Sequence, residues 1–568
     1  MIEALPPLPF PPGLILIAGG LLLPLIPAAL RSGWLLLVPL LGLLAVWTIP
    51  DGVVVSTHWL GYALEPVQGD SLSRLFGSIF SIMAFAGALF SLKQTRTMEL
   101  AAALAYAGGA VGVAFAGDLL TLFAFWEVMA IASATVLWAN RTTGSQRAGM
   151  RYLMVHLLGG VVLMAGIAAH VVQTGSIDVV SLRLDTAATW LMVIGVLINA
   201  GAPPLSAWLP DAYPEASWSG TVFLSAFTTK TAVYVLLRCF PGNEILIWVG
   251  LYMVFYGILY ALLENDMRRI LAYSIINQVG FMVVGAGIGT PLAINGAAAH
   301  AFAHIIYKGL LLMSAGAVMY RTGKTKCTDL GGLFQSMPLT TLCGIIGALA
   351  ISAFPWTSGF TTKSMVTAAA GHEHLTLVWY ALEAASAGVF LHAGIKFPWF
   401  VFFQKDSGLR PKDPPRSMQA AMLLLAAFCI GLGVYPQPLY AMLPFAVEYV
   451  PYDLPHVVKQ LQLLLFAGLA FFVLLPMMKR TLTITLDVDW FYRTGLSWLV
   501  GRVNRYGGCL WSLAEQGLRT VWNHLVGSLE RTHGPAGTLA RTWAVSSAML
   551  WVIGLLGFYL ILYYVNGS

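Results

Sequence analysis

Ionisable side chains stand in the middle of several long apolar stretches of this sequence. They are one glutamate, two histidines and four lysines: Glu127, Lys230, His300, His304, Lys308, Lys363 and Lys396. A charge at the centre of a bilayer costs about 2.5–3.5 kcal/mol on insertion scales, so seven of them represent on the order of 20 kcal/mol. Such groups persist in a membrane only where they face water or one another. Together they predict a path for protons or small cations.

Three of these residues share one apolar segment. His300, His304 and Lys308 recur at every fourth position, which on an α-helix places them in one stripe about 12 Å long. A histidine titrates near neutral pH and can pass protons along a chain of water. The spacing therefore indicates part of a proton relay, with pairing of Lys308 to a carboxylate as the alternative.

The other ionisable residues have structural interpretations as well. For Lys396, a place near a helix end with the ammonium reaching the membrane surface is an equal alternative. His392 is interpreted as a packed, hydrogen-bonded histidine, and Glu127 alone also fits a structural partner of a basic residue. The structural interpretation is weakest for Lys230, because apolar and small residues flank it on both sides.

The elements that must position these groups are membrane helices. The chain has 568 residues, of which 58% are hydrophobic and 10% charged, whereas a soluble domain carries about 25% charged residues. This composition predicts an all-α polytopic membrane protein. The net charge of +6 is small for the length and fits membrane topology, with no nucleic acid as partner. The five cysteines form no C-x-x-C pair, so we expect no metal site and no disulfide framework.

Sixteen apolar runs have about the length of a membrane span. They are 12–30, 33–49, 72–92, 97–117, 119–139, 149–172, 187–209, 217–240, 245–265, 269–288, 292–320, 338–371, 378–402, 416–436, 455–478 and 543–565. Run 338–371 is too long for one straight helix and contains Phe354–Gly359, so a broken helix is predicted there. A second break is predicted between Asn199 and Glu215, where Pro203 and Pro204 are adjacent.

The loops carry their positive charge unevenly. Most Lys and Arg residues follow odd-numbered runs, and little beyond Arg183 and Arg238 follows even-numbered ones. The positive-inside rule then places the odd-numbered loops in the cytoplasm and the N-terminus outside. We expect a multi-pass protein of the bacterial cell inner membrane.

Residues 481–541 differ from the rest of the chain. Arginines stand among leucines and valines that recur at helical spacing, which predicts an amphipathic helix along the membrane or a neighbouring subunit. We expect Gly507 and Gly508 to interrupt it. A cytoplasmic loop with short helices is the alternative.

Five motifs of this chain resemble those of a known family. They are Asp118-Leu119-Leu120 with Phe125-Trp126-Glu127; Ala207-Trp208-Leu209-Pro210-Asp211-Ala212 with Pro214-Glu215-Ala216; Asp266-Met267-Arg268-Arg269; His300-Ala301-Phe302-Ala303-His304 with Lys308; and Gly359-Phe360 with Lys363. The chain is similar over roughly 70–480 to the antiporter-like subunits of respiratory complex I and of multisubunit Na⁺/H⁺ antiporters. Within these it most resembles the D-type subunits of the antiporters.

The resemblance implies two five-helix repeats of inverted topology, each with a broken helix and half of a proton path. It implies a path formed by Glu127, Lys230, His300, His304, Lys308 and Lys363, to which we add Lys396 for its apolar surroundings. We expect about 14–16 transmembrane helices. The domains expected on this basis are N-terminal helices 1–96, a first repeat 97–241, a second repeat 242–404, peripheral helices 405–480, an amphipathic lateral segment 481–542 and a last helix 543–568.

One position departs from the family pattern. The family carries a lysine five residues before the proline that precedes Leu-x-x-Trp, and this chain has Asn199 there. Asparagine does not titrate, so Glu127 lacks the partner that the family provides. Tyr213, where a histidine is common, is a lesser change. Either Lys230 becomes the partner of Glu127, or the chain no longer completes a proton path alone.

The function predicted from these features is translocation of protons and a monovalent cation, Na⁺ or K⁺, by one subunit of a multisubunit membrane complex. The alternatives are a proton-pumping or coupling subunit of a redox-driven assembly like complex I or a hydrogenase, and a subunit of an inorganic-solute uptake complex. No cofactor is expected, because the sequence has no cysteine cluster and no G-x-G-x-x-G after a strand. We expect that the chain catalyses no chemical reaction by itself. Its expected partners are other membrane subunits and the lipid bilayer.

Overall fold

The computed structural model describes residues 10–59, 61–476, 487, 490–535, 537–539 and 544–566. Within these ranges, 13 helices are long and apolar enough to cross a membrane. Shorter apolar helices at Gly13–Leu25, Ala187–Ala200 and Pro338–Ile351 complete the predicted set. The prediction of an all-α polytopic membrane protein is confirmed.

The N-terminal part adds a small hairpin to three helices. Its elements are α1 (Gly13–Leu22), α2 (Ala28–Thr48), β1 (Gly52–Trp59), β2 (Tyr62–Gly69) and α3 (Ser71–Phe90). The strands pair antiparallel with irregular register, and they were not predicted because their residues do not alternate clearly between apolar and polar. The hairpin packs on the helices that follow it, because the Glu65 amide donates at 2.8 Å to Asp118, the residue just before Leu119–Trp138.

The predicted first repeat contains five candidate spans, of which the fourth and the fifth are each made of two helices. Its elements are α4 (Thr97–Phe115), α5 (Leu119–Trp138), α6 (Thr143–Thr174), α7 (Ala187–Ala200), α8 (Trp208–Ala212), α9 (Gly220–Leu224) and α10 (Thr228–Cys239).

The second repeat follows the same order, and only its fourth crossing is made of two separate helices. Its elements are α11 (Ile245–Leu263), α12 (Met267–Ile288), α13 (Pro291–Thr322), α14 (Pro338–Ile351), α15 (Ser358–His372) and α16 (Thr376–Val389). The last of these continues through π-helical turns, so that its span is Thr376–Phe403.

Matching caps identify corresponding helices of the two repeats. Helices α6 and α13 both have 32 residues, begin after a threonine N-cap and end at a left-handed glycine. Helices α5 and α12 both begin after an aspartate whose side chain accepts a backbone N–H, which satisfies an otherwise orphaned amide. The order and the caps of the helices therefore correspond between the two predicted repeats.

Both predicted helix breaks are present. Helix α7 ends at Ala200, and Gly201 then adopts a left-handed conformation, with φ of +81°, that glycine reaches without strain. Helix α14 ends at Ile351, and α15 begins only at Ser358. A third break, between Leu224 and Thr228, separates α9 from α10 and was not predicted.

The central helices are shielded from the outside of the fold. The spans Gly220–Cys239 and Met267–Ile288 are buried over their whole apolar window, and Pro291–Thr322 over 94% of it. Polar groups on these helices therefore face protein instead of lipid.

Three more helices complete the first compact unit, which extends to Asp489. They are α17 (Arg416–Val434), α18 (Gln437–Tyr440) and α19 (Leu454–Val473).

The second compact unit, 490–568, contains the C-terminal helices. They are α20 (Leu496–His533) and α21 (Val545–Asn566). Helix α20 runs through Gly507 and Gly508 without a break, so the predicted interruption is wrong. A helical glycine costs about 1 kcal/mol relative to alanine but keeps its N–H and its hydrogen bonds. Residues 481–486, 488–489, 536 and 540–543 of the predicted lateral segment and last helix lie outside the described residues.

Candidate functional site

Lys230 lies at the break between α9 and α10 and is fully buried. Its Nζ donates to the Ser225 carbonyl oxygen at 2.6 Å, a carbonyl that the break leaves near the lysine. The first amide of α10, on Thr228, donates to the Tyr106 hydroxyl at 2.9 Å. Among the described residues no carboxylate lies within ion-pair distance of Lys230. Its ammonium is solvated by the backbone.

Glu127 lies on α5 and faces the middle of α6. A Cβ added at Gly160 would overlap its Oε1, so the glycine provides the space that the carboxylate occupies. Glu127 is half-buried, and its Oε1 is enclosed without a hydrogen-bond partner in the described structure.

Asn199 lies near the end of α7 and contacts a histidine that the sequence reasoning missed. Its Oδ1 is 2.9 Å from Nδ1 of His156 on α6, and both residues are 1% exposed. A Cβ at Gly159 would lie 2.9 Å from the same Oδ1. His156 could have been noticed in the sequence as an ionisable residue within an apolar helix, four residues before Gly160.

A chain of hydroxyl groups leads from α6 towards α10. The Tyr152 hydroxyl donates to Ser133 at 2.9 Å and lies 3.4 Å from the Thr228 hydroxyl. The Thr228 hydroxyl is 2.5 Å from that of Tyr106. The Tyr152 ring also packs on His156, with 4.0 Å between ring centroids. Hydroxyls both donate and accept, so this chain can pass a proton in either direction.

Helix α13 carries the predicted stripe, and all three of its ionisable residues are fully buried. Lys308 donates to the Ser274 hydroxyl at 2.9 Å, so the alternative of a carboxylate partner is not observed. Both ring nitrogens of His304 lack a hydrogen-bond partner in the described structure. His300 Nε2 lies 3.1 Å from the Gln278 side-chain oxygen.

The two repeats meet where α10 packs against α13. Lys230 lies within electrostatic range of His300, His304 and Lys308. The structure therefore brings the lysine of the first repeat next to the stripe of the second.

Lys363 follows the break between α14 and α15 and faces a cavity. Its Nζ has no hydrogen-bond partner in the described structure and lies 5.3 Å from the centroid of the Phe281 ring. The cavity has a volume of about 740 Å³ and is lined by polar residues that include Ser364, Glu383 and His456. At its wall Lys459 binds Glu383, with 2.6 Å between Nζ and Oε1.

Lys396 lies apart from this group, on the π-helical continuation of α16. Its Nζ donates to three carbonyl oxygens at the C-terminal end of α11, of Ala261, Leu262 and Glu264, at 3.1, 2.6 and 2.6 Å. A cation is favourable at a helix C-terminus. His392, one turn earlier, binds the Gly388 carbonyl and lies within electrostatic range of Lys308, Lys363 and Lys396.

Two further buried charges support the segment between α8 and α10. Glu99 accepts hydrogen bonds from Ser217 at 2.6 Å and Ser219 at 2.5 Å. Arg268 donates through one nitrogen to three carbonyls and a hydroxyl, those of Tyr213, Ala216, Ser217 and Thr221. These residues brace the backbone near the site and were missed because the sequence does not show what they contact.

An ion pair fixes the far end of α10. Arg238 contacts Asp70, the N-cap residue of α3. Burial opposes ionisation of this carboxyl, but the Arg238 charge and the hydrogen bond from Ser73 lower the pKa of Asp70 below its ordinary value. Within the described residues, no group of His, Cys, Asp and Glu side chains is placed to hold a metal ion.

Comparison with known proteins identifies the family of this chain. Residues 116–389 match the family described as NADH:quinone oxidoreductase/Mrp antiporter, TM. The D-type Na⁺/H⁺ antiporter subunit of Alkalihalophilus pseudofirmus is 31% identical over 353 residues, which cover 58% of this chain and 71% of that protein. The chain belongs to this antiporter family. The resemblance predicted from the motifs is thereby confirmed.

Relatives of this chain differ from one another in length. The A/B-type protein of a probable K⁺/H⁺ antiporter of Rhizobium meliloti is 30% identical over 360 residues, which are 59% of this chain but only 36% of that protein. The family member also shares the fold of a chain in the membrane-bound sulfane sulfur reductase, an archaeal respiratory membrane complex. The TM-score is 0.71 at 22% identity, over 97% of this chain and 99% of the other.

Proposed function

We propose that this chain is the proton- and monovalent-cation-translocating subunit of a multisubunit membrane complex like the Na⁺/H⁺ antiporters. The proposal rests on three buried lysines, Lys230, Lys308 and Lys363. Among the described residues, none of the three has a carboxylate at ion-pair distance. A buried cation is costly unless it is compensated, and each of these can shed its charge by releasing a proton.

The contacts support one axis across both repeats. Glu127 begins it in the first repeat, and Lys230 ends that half beside α13. His304, His300 and Lys308 then connect it to Lys363. Since adjacent like charges repel, a proton gained at Lys230 favours deprotonation of His304 or Lys308. Charge would therefore move stepwise along the axis.

Two ends of the second repeat are suited to exchange with water. The cavity of about 740 Å³ reaches Lys363 and opens among residues of the loops that the positive-inside rule places outside. Lys396 lies at the opposite end of the repeat, and His392 lies within electrostatic range of both Lys308 and Lys396. For antiport we therefore place proton entry at the cavity and proton release at Lys396, with the N-terminus outside the bacterial inner membrane.

A coupling subunit of a redox-driven complex is the second candidate. The favouring observation is the likeness over 97% of this chain to a chain of a respiratory complex, a likeness that includes the region of the 38-residue helix α20. In that case electron transfer occurs in partner subunits, and the same axis moves protons. An inorganic-solute uptake complex remains the third hypothesis from the sequence, with no structural feature that favours it.

Everted membrane vesicles that carry the whole complex test the first candidate. A respiratory substrate acidifies their interior, acridine orange reports the pH difference, and NaCl or KCl is then added. We expect cation-induced fluorescence recovery, lost about a hundredfold in Glu127→Ala and Lys230→Ala at unchanged amounts of assembled complex. Lys324→Ala, an exposed loop lysine, is the matched control and should behave as wild type.

Full cation-induced recovery in assembled Lys230→Ala would overturn the proposed path. A wild-type complex that answers neither Na⁺ nor K⁺, yet acidifies vesicles when its own electron donor is supplied, would replace the antiporter with the redox-driven candidate.

A further inference from the structure

We propose that His156 is the proton-carrying base of the first repeat, opposite Glu127, in place of the lysine that the family has at position 199. Asn199 is the residue that positions it. The inference rests on the proposed function and assigns a base to its first half.

The internal repeat gives His156 a counterpart. Helices α6 and α13 have the same length and equivalent caps, Thr142 and Thr290. His156 stands as far beyond Thr142 as His304 stands beyond Thr290. His156 therefore holds the position in the first repeat that the central histidine of the stripe holds in the second.

The same correspondence explains the glycine that faces Glu127. Gly160 stands one turn after His156, as Lys308 stands one turn after His304. Where the second repeat has a lysine side chain, the first has no side chain and admits the carboxylate of α5. The acid and the histidine are thus assembled from two helices around one gap.

The two groups lie at neighbouring turns of α6, and each has an unused hydrogen-bonding atom. Glu127 Oε1 and His156 Nε2 are both buried without a partner in the described structure. Residues four apart on a helix have Cβ atoms about 6 Å apart, and the carboxylate occupies the Cβ position of Gly160. A single water between two such polar groups completes their hydrogen bonds.

Asn199 fixes the tautomer of the ring. Its Oδ1 accepts from Nδ1 of His156 at 2.9 Å, so Nδ1 carries the hydrogen and Nε2 keeps its lone pair. A proton can then leave the Glu127 carboxyl and bond to Nε2 through one water. The pair changes from neutral acid and neutral ring to carboxylate and imidazolium, with no change in net charge.

Two hydroxyl groups lie on the way from His156 towards the second repeat. The Tyr152 ring packs on His156, and its hydroxyl lies 3.4 Å from that of Thr228. Thr228 begins α10, two residues before Lys230. The hydroxyls of Tyr152 and Thr228 therefore line the middle of a route from the imidazole to the lysine that ends the first half, and water would join its two ends.

The other titratable groups around α6 are less suited than His156 to act as the base opposite Glu127. From α8, Asp211 is bound by Arg151 through two hydrogen bonds of 2.7 and 2.8 Å. Tyr213 follows α8 and is a weak acid near pH 10 in water. Helix α7 offers only Asn199, and α10 offers Lys230 itself. Glu127 from α5 is the acid of the pair.

The test uses the whole complex in everted vesicles across a pH series. We expect His156→Gln to lose proton transport about a hundredfold and Asn199→Ala to lose less. The double variant His156→Gln with Asn199→Lys returns a base to the site and should restore transport. Its pH profile should move to higher pH than wild type, because an ammonium in water holds its proton to about pH 10 and an imidazole only to about 6.5.

Two comparisons separate this inference from the proposed function. Wild-type transport and pH profile in assembled His156→Gln, with Lys230→Ala inactive, would overturn the role of His156 and leave the path intact. Transport in Lys230→Ala would overturn the proposed function. If His156→Gln does not assemble, His156→Lys decides: transport with a profile at higher pH supports the inference, and an assembled but inactive complex refutes it.

Discussion

The Lys230 ammonium and the Ser225 carbonyl oxygen lie 2.6 Å apart across the break between α9 and α10. This hydrogen bond joins the charge of the lysine to the geometry of the broken helix. When Lys230 is protonated, its ammonium stabilises the Ser225 carbonyl at the helix break. A neutral amine is a weaker hydrogen-bond donor. Loss of the proton thus loosens the break beside α13, where the two halves of the path meet.

This relationship predicts that Lys230→Arg abolishes transport as completely as Lys230→Ala. Arginine keeps the charge and the hydrogen bond but is never deprotonated in a protein, so the proton cannot pass. We expect assembly close to wild type and transport about a hundredfold lower, measured by acridine orange in vesicles. Lys324→Arg at an exposed position is the control. Transport by Lys230→Arg would mean that the lysine only supplies a charge.

The gap at Gly160 makes a second prediction. In Gly160→Ala the new methyl group meets Oε1 of Glu127, the free end of a flexible side chain, so the carboxylate moves and the helix stays folded. We expect thermal stability to change by no more than about 1 kcal/mol and transport to fall about tenfold or more. Gly431→Ala, in a helix with open space around the added Cβ, should retain transport. A Gly160→Ala complex that transports normally would show that Glu127 needs no fixed position.

The burial of the lysines and histidines was predictable because a charged residue within an apolar stretch is visible in the sequence alone. Lys230 and the stripe on α13 stand out from apolar neighbours, and each was found at the interface of the repeats. The proline pair near Asn199 likewise predicted the break in α7, since proline removes a helix hydrogen bond.

What the sequence did not predict depends on contacts between distant residues. His156 looks like an ordinary residue of α6 until Asn199 is placed 2.9 Å from it. The sequence around the break before Thr228 contains no proline or glycine that would predict it. The new helix start is stabilised instead by the Tyr106 hydroxyl, which accepts from the Thr228 amide. In α20 a break was predicted where none exists. The two glycines, Gly507 and Gly508, were taken to end the helix, but the helical residues on both sides keep it continuous.

Arg268 makes the third prediction, which concerns stability. One guanidinium nitrogen contacts the carbonyls of Tyr213, Ala216 and Ser217. In Arg268→Gln the Ala216 carbonyl loses this donor, whereas those of Tyr213 and Ser217 still accept from the Thr221 hydroxyl. Loss of a hydrogen bond to a charged group costs about 1.5–3 kcal/mol when the partner stays buried. We expect less assembled complex, and a lower melting temperature of the purified complex. Arg147→Gln, at an exposed position, should leave both unchanged; normal stability of Arg268→Gln would contradict the bracing role.

The cavity next to Lys363 makes the last prediction, which also tests the orientation of the chain. Ser364 lines this cavity, and of the five native cysteines only Cys509 is exposed. In a Cys509→Ser background, Ser364→Cys should react with a membrane-impermeant methanethiosulfonate in right-side-out vesicles and not in everted ones. Thr229→Cys, at a fully buried position, should react in neither. Labelling of Ser364→Cys only in everted vesicles would place the cavity on the cytoplasmic side and contradict the proposed entry of protons from outside.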